Sequence, residues 1–243
     1  MCGIFFSLTR DDYVVPDAST EQLLKNRGPD SIGKHQTLIP QPQDRKCHAT
    51  FISTVLSLRG ASVVEQPLRD PSNNSVLCWN GEAWSVGGQP VQGNDSARVF
   101  QHLLRRRPAG SENDRKASIA QVVEQVATIR GPFAFVFYDA VYNYLYWGRD
   151  CLGRRSLLQR QPAHNELIIS SVCDGSTGDR WTEVDAIGMS IIDLTTFPSN
   201  SSSGMFHVPY SRRDMPGIIG LHMVGKSFAI RKHTNTIRWY PFL

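Results

Sequence analysis

The most constraining stretch of this sequence is the run Phe133 to Tyr138, followed after Asp139-Ala140-Val141 by the run Tyr142 to Trp147. Both runs are dense in aromatic and β-branched residues, which suit a pleated, packed surface. The short link between them leaves room only for a tight hairpin. Antiparallel sheets built from such hairpins are expected to be covered by helices. Helices supply that cover. Val99, Phe100, Leu103 and Leu104 mark one face of a predicted helix over 95–107. Ile119, Val122, Val123, Val126 and Ile129 repeat the pattern, with Gly131 placed to close that helix. Further strands are predicted over 2–8, 51–58, 76–79, 166–171 and 189–194. A short helix is predicted around Leu23 and Leu24, both facing inward, with Ser19 or Thr20 as its cap. It stops at the turn chemistry of Arg27-Gly28-Pro29-Asp30. The polar stretches 40–47 and 109–117 read as loops. Helices set between groups of hairpin-forming strands predict an α+β chain with antiparallel sheets, rather than a doubly wound parallel sheet. Residues 196–218 are rich in Ser, Asn and Gly and read as a flexible insertion, and 219–243 as a tail with some strand character.

Composition excludes several classes of function. The 243 residues allow a sizeable core. No apolar run approaches the ~20 residues of a membrane span. Lys and Arg number 26 against 22 Asp and Glu, a net charge of +4. The densest basic run, Arg105-Arg106-Arg107, falls at a helix end, where cations suit the helix dipole. Nucleic-acid binding would need a broader basic stripe and is not expected. No basic segment precedes an apolar one at the N-terminus, so no signal peptide is expected and the chain is expected in the cytoplasm. On that expectation the sequons at Asn73, Asn94 and Asn200 are chance matches. The five cysteines, Cys2, Cys47, Cys78, Cys151 and Cys173, are odd in number and contain no CxxC. They predict neither a disulfide framework nor a metal site, and no cofactor is expected. Four of them read as small buried or half-buried hydrophobes.

Cys2 differs because of its position. Removal of Met1 would leave a thiol and a free α-amine on one residue. With reference pKa values near ~8.5 and ~7.7–8.0, the amine can take the thiol proton directly or through water. The competing reading is a core cysteine in the first strand, and at this position the two are evenly matched. Asn80-Gly81-Glu82, after the strand over 76–79, also has two readings. An Asn amide and a Gly N–H can stabilise the oxyanion of an acyl transfer, or the pair can be a plain hairpin turn. Asp95 stands at a helix start, either as a cap or as a carboxylate holding a substrate ammonium, and spacing alone favours the cap. Gly148-Arg149-Asp150 with Gly153-Arg154-Arg155 reads as a structural turn with an Arg–Asp pair, since its glycine spacing fits no phosphate-binding loop.

Taken together, these pieces resemble the class II glutamine amidotransferases, whose glutaminase domains use an N-terminal nucleophile. The resemblance rests on Met1-Cys2-Gly3-Ile4, Arg27-Gly28-Pro29-Asp30, Gln66-Pro67-Leu68, Asn80-Gly81-Glu82, Asp95, Gly131 to Phe135, and Gly148-Arg149-Asp150 with Leu152-Gly153. It spans residues 2–195, taken as the amidotransferase domain. Within the family the chain looks most like asparagine synthetase, and in particular the asparagine synthetase domain-containing type. Leu58-Arg59-Gly60, Gly153 to Leu158 and Trp181-Thr182-Glu183-Val184 carry that closer likeness.

The resemblance implies a four-layer αββα sandwich of two antiparallel sheets, with Cys2 at the end of a central strand and L-glutamine bound beside it. Asn80 and Gly81 would form the oxyanion hole and Asp95 would take the ammonium. Glu82 would belong to the substrate loop, while Arg27 and Asp30 would support the nucleophile strand. In one place the chain departs from the family. Val55 stands where asparagine synthetases carry an arginine that would hold the α-carboxylate of glutamine. Arg59, four residues on, is the candidate to replace it. A second departure is that no Ser-Gly-Gly-rich nucleotide loop follows, so this chain is not expected to make asparagine alone. An ammonia-accepting synthetase domain or partner in trans would be needed. The leading expectation is hydrolysis of glutamine to glutamate and ammonia through a Cys2 thioester. The alternatives are a non-catalytic module with the same fold that binds a partner or senses glutamine, and an enzyme retuned to another amide.

Overall fold

The computed structural model describes residues 1–105, 112–160, 166–173, 175, 181–196, 205–210, 218–223, 226–233 and 236–241. In chain order the elements are β1 (Gly3–Thr9), α1 (Ala18–Arg27), β2 (Ser31–Pro40), β3 (Lys46–Val55), β4 (Leu68–Arg69), β5 (Val76–Gly81), β6 (Ser85–Val86) and β7 (Gln89–Pro90). There follow α2 (Asp95–Leu104), α3 (Glu112–Ala127), β8 (Phe133–Asp139), β9 (Tyr144–Arg149), β10 (Leu158–Arg160), β11 (Leu167–Ser170), β12 (Thr182–Glu183) and β13 (Gly188–Asp193). The last are β14 (Met205–Pro209), β15 (Ile218–Met223), β16 (Lys226–His233) and β17 (Thr236–Pro241).

Two antiparallel sheets dominate. One has the order β12-β10-β11-β1-β3-β2, the other β17-β16-β15-β14-β13-β9-β8-β5-β4. Alternation along each strand assigns its side chains to two different cores. From β1, Ile4, Phe6 and Leu8 enter the core between the sheets, where they meet Val76, Cys78, Ala134, Val136 and Trp147. Phe5 points the other way, towards Leu24 of α1 and Ile52. From β8, Phe133, Phe135 and Phe137 face Val99, Phe100 and Leu103 of α2 and Val122, Val123 and Val126 of α3. The layers therefore run α1, first sheet, second sheet, then α2 with α3, the expected αββα sandwich. The hairpin runs lack polar alternation because both faces of that sheet are buried.

Several local expectations need correction. Asp17 caps α1, its carboxylate accepting from the Thr20 N–H at 2.8 Å, so the cap precedes Ser19 and Thr20. Leu24 is buried, whereas Leu23 is 36% exposed. The polar stretch 109–117 contains the first turns of α3 rather than only a loop. That helix ends at Ala127, before Gly131. Gly131 has φ +144°, and a Cβ there would collide with the Glu82 carbonyl, so this glycine serves a close approach. β2 was not expected at all. It is an edge strand with one buried side chain, Ile39, and so carries no apolar signal. Within 196–218, residues 205–209 form β14, because Phe206 and Val208 alternate into the core against β13. Residues 197–204 and 211–217 of that expected insertion lie outside the described residues. In the expected tail, β15, β16 and β17 extend the second sheet by antiparallel pairing.

Candidate active site

Cys2 stands one residue before β1, which runs between β3 and β11 in the middle of its sheet. Hydroxyls fix the start of that strand. Thr54 Oγ1 accepts from the Gly3 N–H at 3.1 Å and donates to the Leu24 carbonyl at 2.6 Å, tying β1, β3 and α1 together. Ser171 Oγ accepts from the Ile4 N–H at 3.1 Å. The turn after α1 then closes around this point. A Cβ at Gly28 would strike the backbone of Thr54, so only glycine lets the helix end pack against β3. Arg27 Nε donates to the Cys2 carbonyl at 3.1 Å. Asp30 Oδ2 accepts from the Ser57 N–H at 2.7 Å, and the Asp30 N–H reaches the Val55 carbonyl at 2.9 Å. Arg27 thus holds the residue of the nucleophile itself. Asp30 instead holds the segment after β3, which forms the facing wall.

A cleft with ≈ 470 Å³ of unfilled space, part of it open to solvent, lies over Cys2. Among the residues lining it are Cys2, Asn80, Gly81, Glu82, Asp95 and Arg59, so six of the eight expected site residues share one wall system. Arg27 and Asp30 stand behind it. Cys2 Sγ lies 3.8 Å from the Leu56 carbonyl. Burial pushes its thiol above the ordinary range, with the Arg27 charge acting in the opposite sense. The amine of Met1, one residue before Cys2, is shifted down, chiefly by burial and further by the charges of Arg27 and Arg155.

The structure removes one bland reading at Asn80-Gly81 and another at Asp95. Asn80 and Gly81 do not form a hairpin turn. They end β5, paired with Ala134 and Phe133 of β8. Asn80 is 1% exposed, and its Nδ2 has no hydrogen-bond partner among the described residues. A buried amide donor without an acceptor is costly, and this one belongs to a residue on the cleft wall. At Gly81 a Cβ would press on the Trp79 ring and Phe133, so the backbone there comes close to its neighbours. Asp95 is not the cap of α2. Asn94 is, with its Oδ1 accepting from the Ser96 N–H at 3.0 Å and from the Ser96 hydroxyl at 2.6 Å. Asp95 turns inward, and its Oδ2 accepts from Trp79 Nε1 at 3.0 Å and the Ala83 N–H at 2.7 Å. Burial raises its pKa above the usual carboxylate value, against those hydrogen bonds. A cation bound there would relieve that cost.

Arg59 behaves differently from its expected role. Nη1 donates to the Ala83 carbonyl and Nη2 to the Val91 carbonyl, both at 2.8 Å. Its fork braces the loop behind Asp95 rather than standing free for a carboxylate. The residue that sequence reasoning missed is Arg155, whose Nη2 meets Glu82 Oε1 at 2.7 Å on the cleft wall. The turn reading holds for its neighbour, because Arg154 Nε pairs with Asp150 at 2.9 Å. Nothing in the pattern of two adjacent arginines separates their directions.

Among the described residues, no three His, Cys, Asp or Glu side chains gather as a metal site. No described helix is long and apolar enough to cross a membrane. Burial lifts the Cys47 thiol to about 11 and the Cys78 thiol to about 12, which suits inert core residues. Cys151 is exposed, contrary to the buried or half-buried setting expected for it, because it lies in the turn after β9.

No protein-family model matches the chain. Among curated proteins, it is 32% identical over 200 residues to human asparagine synthetase domain-containing protein 1, covering 80% of this chain and 28% of that protein. It is 30% identical over 217 residues to the chicken protein of the same name, covering 86% of this chain and 32% of the relative. The chain therefore spans less than a third of the length of these relatives. Among solved structures, it resembles glutamine phosphoribosylpyrophosphate amidotransferase from Bacillus subtilis, complexed with ADP and GMP. The TM-score there is 0.53 and the identity 17%, over 87% of this chain and 50% of that one. A second structure, described as the allosteric regulatory enzyme of purine biosynthesis, gives a TM-score of 0.59 at 17% identity, over 87% of this chain and 49% of the other. At that identity the likeness establishes the fold.

Proposed function

The chain is a relative of the asparagine synthetase domain-containing proteins, built on the class II glutamine amidotransferase fold, and from that premise we propose that it hydrolyses L-glutamine to glutamate and ammonia through Cys2. The observation that carries this reading is the buried Asn80 Nδ2, a donor without a protein partner on the wall of the cleft that holds Cys2. Once Met1 is removed, the Cys2 α-amine takes the thiol proton. The sulfur attacks the side-chain amide carbon, and the carbonyl oxygen becomes an oxyanion between Asn80 Nδ2 and the Gly81 N–H. The carbon–nitrogen bond then breaks, and the ammonium formed on Cys2 returns its proton to the leaving ammonia. Water, deprotonated by the same amine, attacks the γ-glutamyl thioester and releases glutamate and the free thiol. Asp95 holds the substrate ammonium, and Arg27 keeps the Cys2 backbone in place.

This chemistry belongs in the cytoplasm. The ammonia would pass to a synthetase domain or partner in trans that activates the acceptor. The test is labelling with a diazoketone analogue of glutamine, followed by peptide mass mapping. Alkylation of Cys2 that is blocked by excess glutamine is the expected result. Labelling elsewhere, or none in protein lacking Met1, would overturn the reading.

A second reading, a glutamine-fold module without turnover, draws on Val55 and on the committed fork of Arg59, which leave the α-carboxylate without its family partner. Retention or acetylation of Met1 in the mature protein would favour it, since either removes the base.

A further inference from the structure

One cation on the cleft wall has spare capacity. Arg155 follows Arg154 in the connection after β9, yet the two side chains serve different ends. Arg154 joins Nε to Asp150 at 2.9 Å and Nη2 to the Gly131 carbonyl at 2.8 Å, and lies over the Trp84 ring. It braces the turn. Arg155 lines the cleft with its side chain 15% exposed. Among the described residues its hydrogen bond is the one from Nη2 to Glu82 Oε1, at 2.7 Å, and Nε and Nη1 have no acceptor. Glu82 itself is 44% exposed, so the pair sits at the cleft rim with the arginine on the inner side. A guanidinium presents five donors in a rigid plane that matches a carboxylate in two-point contact. Most of that capacity is unused here. The Arg155 charge is also felt at the Met1 amine and at Arg27, whose Nε holds the Cys2 carbonyl.

An α-amino acid substrate brings one ammonium and one carboxylate. Asp95 is the buried anion of the cleft. For the carboxylate, Val55 offers no charge and the Arg59 fork is held by two backbone carbonyls. Resting on the hydrolase reading above, we propose that Arg155 is the specificity-determining residue that receives the substrate α-carboxylate. Glu82 fixes the guanidinium through Nη2 and leaves Nη1 and Nε for the ligand. The missing family arginine is thus replaced from another segment of the chain, about one hundred residues away in sequence.

Calorimetric titration of the full chain carrying Cys2→Ala tests this without turnover. The ligands are L-glutamine and its α-amide, which differ only in the group Arg155 would read. The parent protein should prefer glutamine roughly ten- to a hundredfold. Adding Arg155→Gln should erase that preference while leaving affinity for the α-amide unchanged. Arg155→Lys, which keeps the charge and loses the fork, should bind glutamine about tenfold more weakly than the parent and melt at the parent temperature. Preference for glutamine that survives in both variants overturns the assignment of Arg155 and leaves the hydrolase reading standing. Binding of neither ligand by the parent protein overturns both.

Discussion

Arg115 and Arg155 are the same side chain in two regions, used in opposite ways. Arg115 joins α3 to the far end of the second sheet. Its Nε and Nη2 donate to the Tyr142 carbonyl at 3.1 and 2.9 Å, and Nη2 also reaches Asp193 at 2.8 Å. Nη1 meets Thr195 Oγ1 at 3.4 Å, and the guanidinium lies over the Tyr144 ring at 4.7 Å. Every guanidinium nitrogen is in use by the protein. Arg155 uses one. The same contrast holds for their surroundings, since the cleft also contains the unpartnered Asn80 Nδ2 and the buried carboxylate of Asp95. Arg115 serves the fold and is satisfied by it. Asn80 and Arg155 are left short on a cleft wall, where a ligand can meet them.

The contrast can be broken by substitution on either side. The largest expected effect is from Cys2→Ala, which should lower glutamate release by ~10³-fold or more with an unchanged melting temperature. Residual Cys2-independent release near the parent rate would place the chemistry elsewhere. Next, Asn80→Ala should lower kcat by about 10²–10³-fold with little change in KM, since the amide acts on the oxyanion and not on the ground state. A change confined to KM would remove Asn80 from that role. Asp95→Asn should weaken glutamine binding roughly ten- to a hundredfold. It should also leave stability equal or higher. The raised carboxyl pKa means that the fold favours the neutral acid, so stability gains as pH falls towards the carboxylate range, and Asn removes that dependence. Thermal melts at two pH values check the sign.

On the other side, Arg115→Ala should cost about 1–2 kcal/mol of stability, discounted for its partial exposure, with kcat/KM unchanged. An altered KM would mean that the strut communicates with the cleft. The smallest effect is in the pH profile. Arg27 holds the Cys2 carbonyl, so its charge stands beside the α-amine that removal of Met1 would free and opposes protonation there. Activity should therefore rise through a pKa below the ordinary amine value and stay high above it. A rise only above the ordinary value would exclude the amine as base.

How much of this was legible in the sequence follows from where the signals lie. The β8–β9 hairpin was readable from its aromatic and β-branched composition, and the faces of α2 and α3 because burial on one side imposes a period on apolar residues. β2 was not, since an edge strand with mostly half-exposed side chains has no such period. Cys2 and the order of Asn80, Gly81 and Asp95 pointed to the cleft from position and motif. Whether Asp95 capped its helix could not be read from spacing, because Asn94 beside it can do the same job and does. The true partners of Arg59, the carbonyls of Ala83 and Val91, depend on a loop path that sequence does not display. Arg155 was hidden by Arg154, whose pairing with Asp150 explained the turn and left its neighbour without a role.

The most direct test is release of glutamate and ammonia from L-glutamine by protein whose intact mass shows Met1 removed, run beside Cys2→Ala. Equal amounts of the two products, made only by the protein with Cys2, are the expected result. No release from correctly processed protein, or equal release from Cys2→Ala, would contradict it.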